Sequence, residues 1–193
     1  MNWAALADAF LNLRAEWQLL LLLVLFIWLL RLLDAVFLKD RLKQAYGLKP
    51  RRRFQLRSLV FSPFLHSNRS HLFHNTIPLL IYGGLVGLYG WEVFLLVTGV
   101  CILVEGTATW LLGEDGNHLG ISGLIFGYFG FTLVNGIFAQ DGAAMLLGVL
   151  TGFMGRRAFA MLFARGSTIS TSGHLFGFAA GIFSYWLVNY LQM

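Results

Sequence analysis

Six apolar runs, at roughly 17–38, 71–89, 91–112, 122–139, 142–155 and 172–192, occupy most of the 193 residues. Lipid offers no partners to backbone N–H and C=O groups, so open chain segments within it must be helical. A crossing needs about 20 residues, and the spacing therefore predicts an all-α, polytopic membrane protein with six transmembrane helices. Composition agrees: 58% of the residues are hydrophobic and 12% charged, more apolar surface than a soluble domain of this length can use. The first run continues for more than 20 positions with no small-residue cleavage site behind it, which reads as a retained helix and not a signal peptide. The single cysteine, Cys101, excludes a disulfide framework or cysteine-rich metal site and reads as a small apolar filler. No metal or cofactor is expected. With no repeat or linker, residues 1–193 read as a single domain.

The connections alternate in length. Those after the second and fourth runs are short and imply antiparallel hairpins, whereas 39–70, 113–121 and 156–171 are longer and polar. Six crossings place all three long loops on one side of the membrane and both termini on the other. Of 14 basic residues, nine lie between Lys39 and Arg69, a cluster suited to anionic lipid headgroups. No folded basic domain exists to carry nucleic acid. With Arg156, Arg157 and Arg165 the long-loop side carries twelve basic residues against Arg14 opposite, which by the positive-inside rule puts the long loops in the cytoplasm. Arg31 and Asp34, three apart, are expected to pair along one helix face, with Arg31 snorkelling. Arg156 and Arg157 interrupt the fifth run, and residues 158–164 either complete that helix or lie in the interface.

Polar residues inside membrane helices are costly and call for a reason. His71 and Asn75 begin the second run, four residues apart and so on one face. Ser122 begins the fourth run and His174 the sixth. Even-numbered runs all start on the long-loop side, so these four residues share one membrane face at similar depth. Glycines at 123, 127 and 130 and at 173, 177 and 181 let two helix backbones approach closely, and if those faces meet, Ser122 reaches His174. A serine hydroxyl becomes an effective nucleophile when a neighbouring base accepts its proton. The oxyanion that follows needs preset donors, here the Ser122 amide at a helix N-terminus and the side chains of His71 and Asn75. Gly120 and Gly123 leave room for substrate backbone beside the serine. Each part is common alone; the combination is specific.

At these residues the chain resembles the rhomboid family of intramembrane serine proteases. Pro50-Arg51, Ser62-Pro63-Phe64-Leu65-His66 and His71-Leu72-Phe73-His74-Asn75 are similar to that family's first loop and second helix. Gly120-Ile121-Ser122-Gly123-Leu124-Ile125-Phe126-Gly127 resembles its nucleophile motif, and Gly173-His174-Leu175-Phe176-Gly177, with Gly181, its histidine helix. The resemblance covers most of residues 45–193. It implies a six-helix rhomboid-like bundle, Ser122 as nucleophile, His174 as general base without an aspartate, and His71, Asn75 and the Ser122 amide as the oxyanion hole. It also implies Phe126 packing on the imidazole, a close Gly177 and Gly181 helix contact, a structured, partly membrane-embedded first loop and a mobile cap at the fifth.

Transmembrane proteins would be the substrates and the bilayer the surroundings; oligomeric state is not legible. The alternative is a catalytically silent rhomboid-fold protein that binds membrane clients. A transporter would call for inverted repeats, and none is found. His66 reads as a structural residue beneath the first loop and His74 as facing a neighbouring helix. His118 lies in a loop from which Ser122 can be reached. Glu105 is expected to hold a structural hydrogen bond, with orientation of His174 as its other reading. The chain departs from the family in lacking a Trp-Arg pair in the first loop, where Arg51 to Arg53 and Phe54 stand instead. The family also implies cytoplasmic termini and an active site open to the outside of a bacterial-type inner membrane, the reverse of the positive-inside reading. The family orientation is preferred, because a long basic loop lying in headgroups need not follow a rule built on short connections.

Overall fold

The computed structural model describes residues 14–138, 142–156 and 170–193, all helix and connecting loop. In chain order the helices are α1 (Ala15–Val36), α2 (Arg41–Tyr46), α3 (Leu56–Phe61), a 3-10 turn at Ser62–Phe64, α4 (Arg69–Gly87), α5 (Trp91–Leu112), α6 (Ser122–Phe138), α7 (Gly142–Met154) and α8 (Thr171–Tyr190). Among the described residues the only β-type pairing is an isolated bridge between Leu48 and His118. The six apolar runs reappear as α1 and α4 to α8, with ends shifted by at most two residues. Residues 157–169 lie outside the described residues, and with them the expected cap and the apolar segment 158–164.

By length and apolarity, α1 and α5 can each cross a membrane, while α6 and α7 are apolar but shorter. α1 is leucine-rich, a composition that favours helix, and leaves Leu21, Leu22, Leu25, Leu29 and Leu32 exposed on its outer face. Its buried face packs on α4, where Gly83 and Gly84 make room for Leu20 and Trp17. The expected Arg31–Asp34 pair does not form. Arg31 instead bonds Asp40 at 2.9 Å, and Asp34 turns to the orphan donors opening α2, accepting from Leu42 N at 2.8 Å and Lys43 N at 3.4 Å. Four unsatisfied N–H groups at a helix start attract a carboxylate more specifically than one mobile guanidinium does.

α6 is central, contacting α4, α5, α7 and α8. It is buried nearly all round, from Gly123 through Thr132 without a break, as expected of a helix apolar on every side. Its glycines meet those of α8: a Cβ on Gly177 would run into the backbone of Gly123, and one on Gly181 into that of Gly127. Cys101 of α5 fills the space beside Gly127. At the far end, Gly136 of α6 and Gly148 of α7 touch through their main chains.

The first loop is folded onto α5. Leu59 of α3 packs on Gly106, and Trp110 donates its indole N–H to the Arg52 carbonyl at 3.0 Å while stacking edge-on with Phe54. Arg51 bonds the Gly113 carbonyl and the Asp115 carboxylate, both at 2.6 Å. These contacts anchor the segment that has no Trp-Arg pair.

Candidate active site

Ser122 is the first residue of α6 and is half-buried. His174 lies in the first turn of α8, 8% exposed. The glycine contact between the two helices brings His174 Nε2 to 3.0 Å from Ser122 Oγ. Hydroxyl donation to Nε2 requires the imidazole proton to sit on Nδ1, and Nδ1 has no hydrogen-bond partner among the described residues. Phe126, one turn after Ser122, stacks on the imidazole with centroids 4.3 Å apart. Among the described residues it is ring packing, and not a third polar residue, that fixes the histidine plane.

The other two predicted residues converge on the same place from α4. Asn68 caps that helix, accepting from His71 N at 2.8 Å, and the one-turn spacing brings His71 and Asn75 onto one face. Gly120 shows how near they come: a Cβ there would lie 2.8 Å from His71 Cε1, 3.0 Å from its Nε2 and 3.4 Å from Asn75 Nδ2. Its φ of +108° is in any case suited to glycine. Gly120 is held by donating its N–H to the Ser62 carbonyl at 3.1 Å. The Ser67 hydroxyl lies 3.2 Å from His71 Nδ1; donation there leaves Nε2–H free to face the cavity.

His66, read as merely structural in the sequence, bears on the site directly. Its Nε2 lies 3.1 Å from Asn75 Nδ2, so it accepts one amide N–H and leaves Asn75 the second. Burial, with His71 close by, pushes the His66 imidazole down to about 3 and keeps it the neutral acceptor this contact requires. A nine-residue separation across a loop gave no periodic signal for the pair.

The remaining polar residues bond other partners, although His74 and His118 also line the cavity described below. Glu105 accepts from Thr109 Oγ1 at 3.1 Å, and its carboxyl packs between Gly123 and Gly173. His74 does not face a neighbouring helix: it is exposed and lies 2.7 Å from the Ser70 carbonyl one turn back. His118 does not bond Ser122; its Nδ1 lies 2.7 Å from Ser170 Oγ and its Nε2 2.8 Å from the Glu114 carbonyl. Ser122, His174, His71, Asn75 and Phe126 all line one cavity of about 1300 Å³, whose walls include Tyr82, Ile125 and Phe129 and whose rim is loop 113–121.

This arrangement can activate a hydroxyl and stabilise an anion beside it within a largely apolar recess. A family model for the rhomboid domain matches residues 53–191, well over half of the chain, and the chain belongs to the rhomboid family. It is 36% identical over 152 residues to "Uncharacterized protein Rv1337" of Mycobacterium tuberculosis, covering 74% of this chain and 63% of that protein. It is 39% identical over 145 residues to "Uncharacterized protein ML1171" of Mycobacterium leprae, covering 68% and 55% respectively. It is also 30% identical over 131 residues to "Putative rhomboid protease YdcA" of Bacillus subtilis, covering 64% and 62%. The chain thus spans somewhat over half the length of these relatives.

Proposed function

We propose that this protein is an intramembrane serine endopeptidase that hydrolyses peptide bonds in or next to transmembrane segments of membrane-protein substrates. The observation that carries this reading is the 3.0 Å contact between Ser122 Oγ and His174 Nε2 at the wall of a cavity that His71 and Asn75 also line. The Ser122 hydroxyl gives its proton to His174 as the oxygen attacks the scissile carbonyl carbon. The resulting oxyanion is met by the Ser122 amide, Asn75 Nδ2 and His71 Nε2. His174 returns the proton to the leaving amine, and the acyl-serine is hydrolysed by water with His174 again as base. A substrate helix must unwind to present its bond, so small and helix-breaking residues are expected near the cut.

The chain acts as one domain with six crossings, α1 and α4 to α8, in a bacterial-type inner membrane, with the site open to the outside. The first loop lies in the headgroups, its exposed Phe54, Leu56 and Phe61 toward the acyl chains and its exposed Arg52 and Arg53 toward phosphates. An intact serine–histidine pair favours catalysis over a silent, client-binding role.

The test is labelling of purified protein with a fluorophosphonate probe, which requires an activated hydroxyl, together with cleavage of a transmembrane reporter. Ser122→Ala and His174→Ala are each expected to abolish both while leaving a folded protein. Cleavage that persists in purified Ser122→Ala protein refutes the assignment.

A further inference from the structure

The loop that delivers Ser122 also grips the helix that delivers His174. Residues 113–121 run from α5 into Ser122. Within them, the Glu114 carboxylate accepts the backbone N–H of Ser172 at 3.0 Å and also the Ser172 hydroxyl. His118 bridges Ser170 Oγ and the Glu114 carbonyl. Ser170 is the N-cap of α8, accepting from Gly173 N at 3.1 Å. One donor order satisfies the whole chain with a neutral histidine: Gly173 N–H to Ser170 Oγ, Ser170 O–H to His118 Nδ1, and His118 Nε2–H to the Glu114 carbonyl. The His118 main chain is itself pinned, bonding Leu48 through both its N–H and its C=O.

The grip falls where α8 needs it. The first turn of a helix has orphan N–H groups and frays, and His174 sits in that turn. The close backbone contact between α8 and α6 begins one turn later, at Gly177. A reacting pair tolerates displacements of only about 0.5 Å, so an unsupported first turn would spoil the Ser122–His174 contact without unfolding anything.

We propose that Glu114 and His118 are positioning residues, a two-point latch that holds the first turn of α8 against the segment entering Ser122 and so sets the spacing of the reacting pair. The inference rests on Ser122 and His174 being nucleophile and base. Glu114 and His118 stand at the cavity rim, but their bonds go to Ser170, Ser172 and the loop main chain, so in this role they act through α8.

The experiment uses the full chain in detergent, comparing wild type with Glu114→Ala, His118→Ala and, as a control away from the cavity, Glu92→Ala, an exposed carboxylate at the other end of α5. Glu114→Ala and His118→Ala are expected to slow fluorophosphonate labelling of Ser122, and kcat on a transmembrane reporter, by roughly 10- to 100-fold. KM and Tm should stay close to wild type, and Glu114→Asp should recover part of the rate. Adding Ser172→Ala to Glu114→Ala should cost little more, since both remove one contact. Hydrogen exchange at the amides of residues 172–174 supplies an independent reading and should accelerate in both latch variants but not in Glu92→Ala. Unchanged exchange there, or wild-type labelling rates in both variants, overturns the latch, as does a loss of rate matched by a fall in Tm. A wild-type chain that takes up no probe, with exchange still accelerated in the variants, instead overturns the protease reading and leaves the latch as a structural contact.

Discussion

Phe126 and His174 lie ring against ring, their planes within 24° of parallel. The same helix therefore supplies the hydroxyl at Ser122 and, one turn on, the flat wall that orients the His174 ring beside it. Phe126→Leu keeps apolar bulk but loses the face. Aromatic pairs are worth about 0.5–1.5 kcal/mol beyond area, which as a barrier change is roughly 2- to 13-fold. Turnover should fall by about that much with KM unchanged, as measured by steady-state cleavage of a reporter; wild-type kcat would show that the stack does not hold the ring.

The glycine contact predicts a contrast between two alanine substitutions. A methyl group at Gly177 meets the carbonyl carbon of Gly123 at 2.8 Å, main chain that cannot rotate away, whereas nothing lies within 4 Å of one at Gly99. Gly177→Ala should cost at least about 1–3 kcal/mol. Gly99→Ala should be neutral or gain up to about 1 kcal/mol from helix propensity. Thermal unfolding in one detergent ranks the two, and equal Tm values would dismiss the close approach.

His66 makes stability depend on acid. Its folded value of about 3 lies below the ordinary 6.5, so the unfolded chain takes up the proton first. The contribution is whole above about pH 6.5 and is lost as pH falls toward about 3, with a slope of at most roughly 1.4 kcal/mol per pH unit. His66→Gln, which cannot take a proton, should flatten this part of the Tm-against-pH curve. A curve of unchanged slope would mean that His66 is not buried in its neutral form.

Orientation is open to a direct measurement. Cys101 is buried, so a cysteine appended after Met193 offers an accessible thiol to compare against the untagged chain. In intact cells it should resist membrane-impermeant maleimide and react only after permeabilisation. Labelling without permeabilisation would instead vindicate the positive-inside reading of the basic loop.

The positions of the long helices were legible because apolar periodicity is a local signal, and their ends moved by no more than two residues. The meeting of Ser122 with His174 was legible too, from helix parity and two glycine stripes. What escaped was carried by contacts between distant, aperiodic segments. Nothing in 39–70 announced that Asp34 would cap α2 in place of pairing with Arg31, or that His66 would reach Asn75. His118 drew notice as a residue near Ser122, yet its partners are a serine 52 positions away and a backbone carbonyl. Such bonds depend on how a loop folds back on a bundle, which no window along the chain records.

The meeting of α6 with α8 has a further consequence for what this chain can become. Where Gly177 and Gly181 touch α6, the nearest atoms are those of the peptide main chain, so the separation of the two helices is inherited from covalent geometry and owes little to any side chain. Variation can run freely over the outward-facing surfaces and reshape the cavity walls without disturbing that spacing. The freedom ends at a handful of positions where the chain must carry a hydrogen atom and nothing more.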